Sequence, residues 1–229
     1  MKTSNKLLVA LACILVIGMT SFTILLKAEY KNKVAKIDIS KQVIKLKPFN
    51  NLELISLEDY NNINVEIEEG TEYSIKNVPN AKVVGESLKI DSSSEIYGKI
   101  IITVPKLPAI TLNGYEISVK INGKSTKFAN SNLAVNSTAT GDLTLNNCDL
   151  TAVNIKADNA EVKEHWRDDW DRYYHFHLND SKVANSDISL KGKSTLSLKK
   201  TALLSPTFDL SDSASITIEG NAMNPFVKK

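Results

Sequence analysis

"ISLKGKSTLSLKKTALLSPTFDLSDSASITI", Ile188 to Ile218, reads as short segments in which apolar and polar residues alternate, separated by Lys, Gly, Ser, Pro and Asp. Alternation with a period of two is the pattern of a strand with one buried face. Two spacings recur within it: Ile188 and Phe208 stand 20 positions apart, and so do Leu196 and Ile216. Farther back, Leu133 and Val153 repeat the same interval. Self-similarity near 20 residues predicts stacked coils, each burying an apolar edge against the next. The column lacks a member between Val153 and Leu196, and "YHFHL", residues 174–178, stands at that place. A strand there sends Tyr174, Phe176 and Leu178 inward and Tyr173, His175 and His177 outward.

Working outward, the chain after Lys36 continues in the same manner: "INVEIE", "KIIITV", "ISVKI", "LAVN", "LTL" and "VNIKA" alternate, and no amphipathic helix interrupts them. The expected fold is all-β: a β-solenoid, parallel β-helix-like, with about 20 residues per coil. The 28 basic and 26 acidic residues leave a net charge of +2, so no whole-chain field attracts nucleic acid, and none is expected as a partner. Of the two cysteines, Cys13 lies in the apolar N-terminal run and Cys148 in the body of the chain, so no disulfide is expected.

That N-terminal run, Leu7 to Leu26, holds neither charge nor proline. Twenty residues of helix span about 30 Å, the thickness of a bilayer core. A secretory h-region is shorter and is followed by a small-residue cleavage site, whereas this run ends at Lys27 and Glu29. The expected organisation is a cytoplasmic tail over 1–6, a transmembrane helix or uncleaved signal anchor over 7–26, a juxtamembrane segment with the first strands over 27–47, and a β-solenoid domain over 48–229. A loop excursion is expected within it at 165–172.

The first half of that domain carries an ordered set of elements: Phe49, a strand around Val65 to Ile67, the turn Glu69–Gly70, a strand around Leu88 to Ile90, then Val104, Pro105 and Leu107. In this order they resemble the GIN domain family, the autotransporter-adhesin head domains of bacteria. The resemblance runs from about Lys36 to Gly220. It implies a β-solenoid exported to the cell envelope, with no established catalysis and no cofactor. The family's glycine-rich turns are poorly represented, Asn113–Gly114 being the nearest equivalent, and the segment His165–Arg172 has no counterpart in it. Lysines flank the apolar run on both sides, with a slight excess after it, which on its own favours a cytoplasmic domain. Export of a large domain overrides so small a bias, so the expected location is the cytoplasmic membrane, single-pass, with the C-terminal domain on the exported side.

Chemistry concentrates in "HWRDDWDRYYHFH", residues 165–177, which holds all three histidines, both tryptophans and both arginines. Trp166, Arg167, Trp170, Arg172, Tyr173, His175 and His177 combine flat apolar rings with directed hydrogen bonds, a mixture suited to a glycan or an envelope-protein partner. The bland alternative is a cap, with the tryptophans folded over the edge of the coils. His175 and His177, about 6.6 Å apart on one strand face, could chelate a metal with a carboxylate from Asp168, Asp169 or Asp171, but a His-x-His pair alone does not define a site, and no metal is expected. The three aspartates fall in one loop, so no carboxylate pair from separate coils can be argued, and Glu66, Glu68 and Glu69 read as a solvated strand end. The expected function is a non-catalytic, membrane-anchored, adhesin-like binding or scaffolding module. The alternative is an envelope enzyme acting on polysaccharide from a β-helix scaffold.

Overall fold

Alternation in the sequence becomes alternation of burial along the strands: Ile63, Val65 and Ile67 of one, and Ile100, Ile102 and Val104 of another, are sealed from solvent while the residues between them are not. A computed structural model describes residues 17–31, 42–56, 62–91, 94, 96, 98–158 and 173–220. The chain divides into two compact units, Met1–Lys41 and Gln42–Lys229.

In the first unit the described residues, 17–31, form one helix. Fifteen residues rise only about 22 Å, short of a bilayer core, and the last turns carry Lys27, Glu29 and Lys31. Among the described residues no helix is long and apolar enough to cross a membrane. The expected transmembrane helix over 7–26 is corrected accordingly; residues 7–16 lie outside the described residues.

The second unit is built from two large sheets. The nine-stranded sheet runs, in spatial order, β1 (Val43–Lys45), β4 (Ser74–Lys76), β7 (Ile100–Val104), β3 (Ile63–Glu69), β9 (Ile117–Asn122), β11 (Gly141–Asn146), β13 (Tyr174–Asn179), β15 (Ser194–Lys199) and β17 (Ser215–Glu219). The eight-stranded sheet runs β16 (Ala202–Leu210), β14 (Lys182–Lys191), β12 (Asp149–Asp158), β10 (Asn132–Ser137), β8 (Ala109–Gly114), β2 (Asn51–Ser56), β6 (Ser87–Asp91) and β5 (Val83–Val84). Most neighbours are parallel, but β1–β4, β4–β7 and β5–β6 are antiparallel, so both sheets are mixed. Inward side chains of both sheets form one core, with Leu54, Leu112, Val135 and Ile155 from one and Val65, Val119, Leu143 and Phe176 from the other. Each such side chain contributes about 1.5–3 kcal/mol when fully buried.

This arrangement corrects the expected solenoid of 20-residue coils. Leu133 pairs with Val153, Ile188 with Phe208 and Leu196 with Ile216, but these pairs do not form one column. The first two lie in the eight-stranded sheet and the third in the nine-stranded sheet. Val153 is registered on Ser186, while Phe176 stands between Leu143 and Leu196 in the other sheet. In the N-terminal half the period fails altogether. There β2 lies between β6 and β8 and β3 between β7 and β9, so Asn51 pairs with Ser87 and Ala109, and Ile63 pairs with Ile117. A fixed period finds only strands laid down in sequence order, and these two have later strands on both sides.

Turns between sheets demand special backbone. Gly114 takes φ +106°, and a Cβ there would lie 1.7 Å from the Ser56 carbonyl oxygen. Only glycine supplies that conformation and that clearance.

Candidate functional site

The sequence of β13, "YHFHLN", places one buried residue after each partly exposed one. Tyr174, Phe176 and Leu178 are buried in the core, and the rings of Tyr174 and Phe176 meet at 4.7 Å between centroids. Tyr173, His175 and His177 therefore share the outer face of the nine-stranded sheet. Their rings stack along the chain direction, Tyr173 to His175 at 5.8 Å and His175 to His177 at 6.0 Å, with interplanar angles of 28° and 23°. The Lys193 ammonium lies 5.7 Å from the Tyr173 ring centroid. This stacking covers ring faces and leaves ring edges as the accessible chemistry, which favours hydrogen bonding over face-on stacking of a sugar.

The flanking strands define the setting of each imidazole. His175 is registered between Asp142 of β11 and Thr195 of β15, and its Nδ1 lies 2.6 Å from Thr195 Oγ1. His177 sits between Thr144 and Ser197. Burial, followed by the neighbouring His177, lowers the pKa of His175 from its ordinary 6.5, and the Asp142 carboxylate only partly opposes this. Asp142 itself accepts a hydrogen bond from the Ser118 hydroxyl. Near neutrality His175 is thus an uncharged ring, able to donate or accept at its free edge.

Below this stack the outer face carries a ladder of amides. Asn179 donates to Asn146 and Asn146 to Asn122, each at 3.0 Å, and Asn122 donates to Glu66 at 2.5 Å. Glu66 also pairs with Lys99, and Glu68 pairs with Lys124 at 2.6 Å. Glu69 departs from the expected solvated strand end. It is buried, and its carboxylate accepts from the backbone N–H groups of Lys124 at 2.7 Å, Thr126 at 3.0 Å and Lys127 at 3.1 Å, and from the Thr126 hydroxyl. Burial alone would raise its pKa; the hydrogen bonds outweigh it and hold the group below its ordinary 4.5. They also fix a strained segment, since Lys127 and the buried Phe128 both have φ +54°. The role is structural, and a hydrophobic-to-acidic count along β3 gives no hint of it.

Of the residues assigned from sequence, the structure brings together Tyr173, His175 and His177. Trp166, Arg167, Trp170 and Arg172, with the nearby Asp168, Asp169 and Asp171, lie outside the described residues. Among the described residues no three His, Cys, Asp or Glu side chains gather into a metal-binding group. Cys148 is a free, buried thiol whose Sγ donates to the Asn146 carbonyl at 3.2 Å, and burial pushes its pKa up to about 12. Such a thiol is not a nucleophile. The neighbours Asp142 and Thr195 were not singled out in the sequence, although Thr195 lies 20 positions after His175, at the repeat interval.

No family model matches the sequence, and no curated protein matches it. Among solved structures, the chain is similar to a putative adhesin from Bacteroides fragilis, with 13% identity and a TM-score of 0.41, over 79% of this chain and 99% of that one.

Proposed function

We propose that the chain is a non-catalytic, adhesin-like module of GIN type that binds or scaffolds on the exported side of the cell envelope, with Tyr173, His175 and His177 in its contact surface. The observation that carries this is the stack of three rings on the outer face of β13, with their edges presented between hydroxyl-bearing strands. Rigid aromatic and imidazole groups held by a sheet lose little conformational entropy on contact, which suits recognition. The GIN-type assignment rests on the ordered elements from Phe49 to Leu107, whose apolar members Phe49, Val65, Ile67, Leu88, Ile90, Val104 and Leu107 are all buried. The partner is a glycan or an envelope protein, and no nucleic acid is involved. Trp166, Arg167, Trp170 and Arg172, which precede β13 in sequence, are proposed to contribute to binding the same partner.

The test is binding of the full chain to arrayed bacterial envelope glycans and purified envelope proteins, beside His175→Ala, His177→Ala, Tyr173→Ala and a Trp166→Ala/Trp170→Ala variant. The expected result is a ligand whose affinity falls about tenfold or more in these variants at unchanged thermal midpoint, as hot-spot truncation does. Ligands retained equally by all four would overturn the assignment. Release of new chain ends from an arrayed polysaccharide would replace it with the enzyme alternative.

A further inference from the structure

A cavity of about 310 Å³ opens on the outer face of the other, eight-stranded sheet, where the ends of β8, β10, β12 and β14 lie side by side. Its floor is a row of registered residues: Thr111 pairs with Asn136, Asn136 with Lys156, and Lys156 with Ser189. At the usual strand spacing these four span about 15 Å. Lys191 lies two residues beyond Ser189 and is registered on Asp158, which makes it the diagonal neighbour of Lys156, with Cβ atoms about 7–8 Å apart. Both lysines are exposed and line the cavity.

Among the described residues some surface lysines pair with a carboxylate and others, Lys120 and Lys182 among them, do not; the cavity sets two of the second kind side by side. Lys45, Lys89, Lys99, Lys124 and Lys199 each pair with a carboxylate. The ammonium groups of Lys156 and Lys191 have no such partner among the described residues. Two cations therefore face one aspartate, Asp158, inside a concave site. Thr111, Asn136 and Ser189 add hydroxyl and amide groups that both donate and accept. The volume stands at the lower end of small-ligand sites, about 300–1,000 Å³. A ligand complementary to this lining bears one negative charge and several hydroxyls.

We propose that the cavity binds an anionic sugar, a uronate-containing oligosaccharide, whose carboxylate lies between the Lys156 and Lys191 ammonium groups while its hydroxyls bond Thr111, Asn136 and Ser189. The site is on the opposite sheet from His175 and His177 and stands independently of their assignment.

Calorimetric titration of the full chain with trigalacturonate tests it, beside Lys156→Gln, Lys191→Gln, Ser189→Ala and Lys120→Gln. Saturable one-site binding is expected, weakened about tenfold or more by each lysine variant, as loss of a charge-assisted contact does. Ser189→Ala, which leaves the charge unaltered, weakens it less, and Lys120→Gln, at an exposed lysine of the nine-stranded sheet, leaves it unchanged. Neutral maltotriose does not bind. Absence of saturable binding by the natural chain would overturn the proposal. So would lysine variants of full affinity and natural thermal midpoint, or inorganic sulfate displacing the sugar with Ser189→Ala without effect, since that pattern describes a bare charge patch.

Discussion

Tyr174→Phe removes a single oxygen from the centre of the core while leaving the ring in place. The Tyr174 hydroxyl is fully buried and finds no hydrogen-bond partner among the described residues. A hydroxyl taken from water without a partner costs about 1–3 kcal/mol by mutational measure, and phenylalanine carries no such penalty. The ring contact with Phe176 at 4.7 Å is retained. The variant should therefore be more stable than the natural chain by about 1–3 kcal/mol. For a chain of this size each kcal/mol moves Tm by about 2–4 °C, so a rise of several degrees is expected. Thermal unfolding followed by circular dichroism, with urea unfolding at constant m-value as the control, measures it. A loss of 1 kcal/mol or more would mean instead that the hydroxyl has a bonding partner in the folded chain. In the natural chain the Tyr174 phenol should also stay protonated well above pH 10, since burial, reinforced by the Asp142 charge, raises its pKa.

Four further outcomes follow from the same geometry. Because burial holds the Cys148 thiol near pKa 12, it should not react with an aromatic disulfide reagent at pH 8 in folded protein and should react after unfolding in urea. His175 has a folded pKa below 6.5, so the unfolded chain takes up the proton first: its contribution is complete above pH 6.5 and is lost as pH falls through the folded value, visible as a declining Tm. Glu69 adds a second loss of the same sign at lower pH, below 4.5, which Glu69→Gln should abolish together with much of the stability. Gly114→Ala, which forces a Cβ to within 1.7 Å of the Ser56 carbonyl, should destabilise the fold by several kcal/mol in denaturant titration.

Strand content was legible because period-two alternation is a local property, and every residue of a half-buried strand reports its face. β13 is the clearest case, where Tyr174, Phe176 and Leu178 against Tyr173, His175 and His177 could be separated from the chain alone. Which strands pair was only half legible. The interval of 20 holds from β13 onward, but β11 pairs with β13 at 33 positions, Leu143 to Phe176, and β12 with β14 at the same 33, Val153 to Ser186. Both sheets are thus displaced by the same 13 extra residues between β12 and β13. That shared shift let a Leu133–Val153 pair and a Leu196–Ile216 pair from different sheets look like one column. The non-sequential placement of β2 and β3 leaves no mark on periodicity. For the site, residue types marked His175 and His177, while Asp142 and Thr195 became visible as neighbours only once register was known. Glu69 was misread because an acidic side chain at a strand end looks the same whether it meets water or three backbone N–H groups.

β13 and the residue before it present Tyr173, His175 and His177 outward while Tyr174, Phe176 and Leu178 fill the core. Single cysteines placed at 175, 176, 177 and 178 in a Cys13→Ser/Cys148→Ala background, labelled with a maleimide under native conditions, measure this residue by residue. Rapid labelling of His175→Cys and His177→Cys with protection of Phe176→Cys and Leu178→Cys is the expected result. The inverse alternation, or uniform labelling of all four, would contradict it.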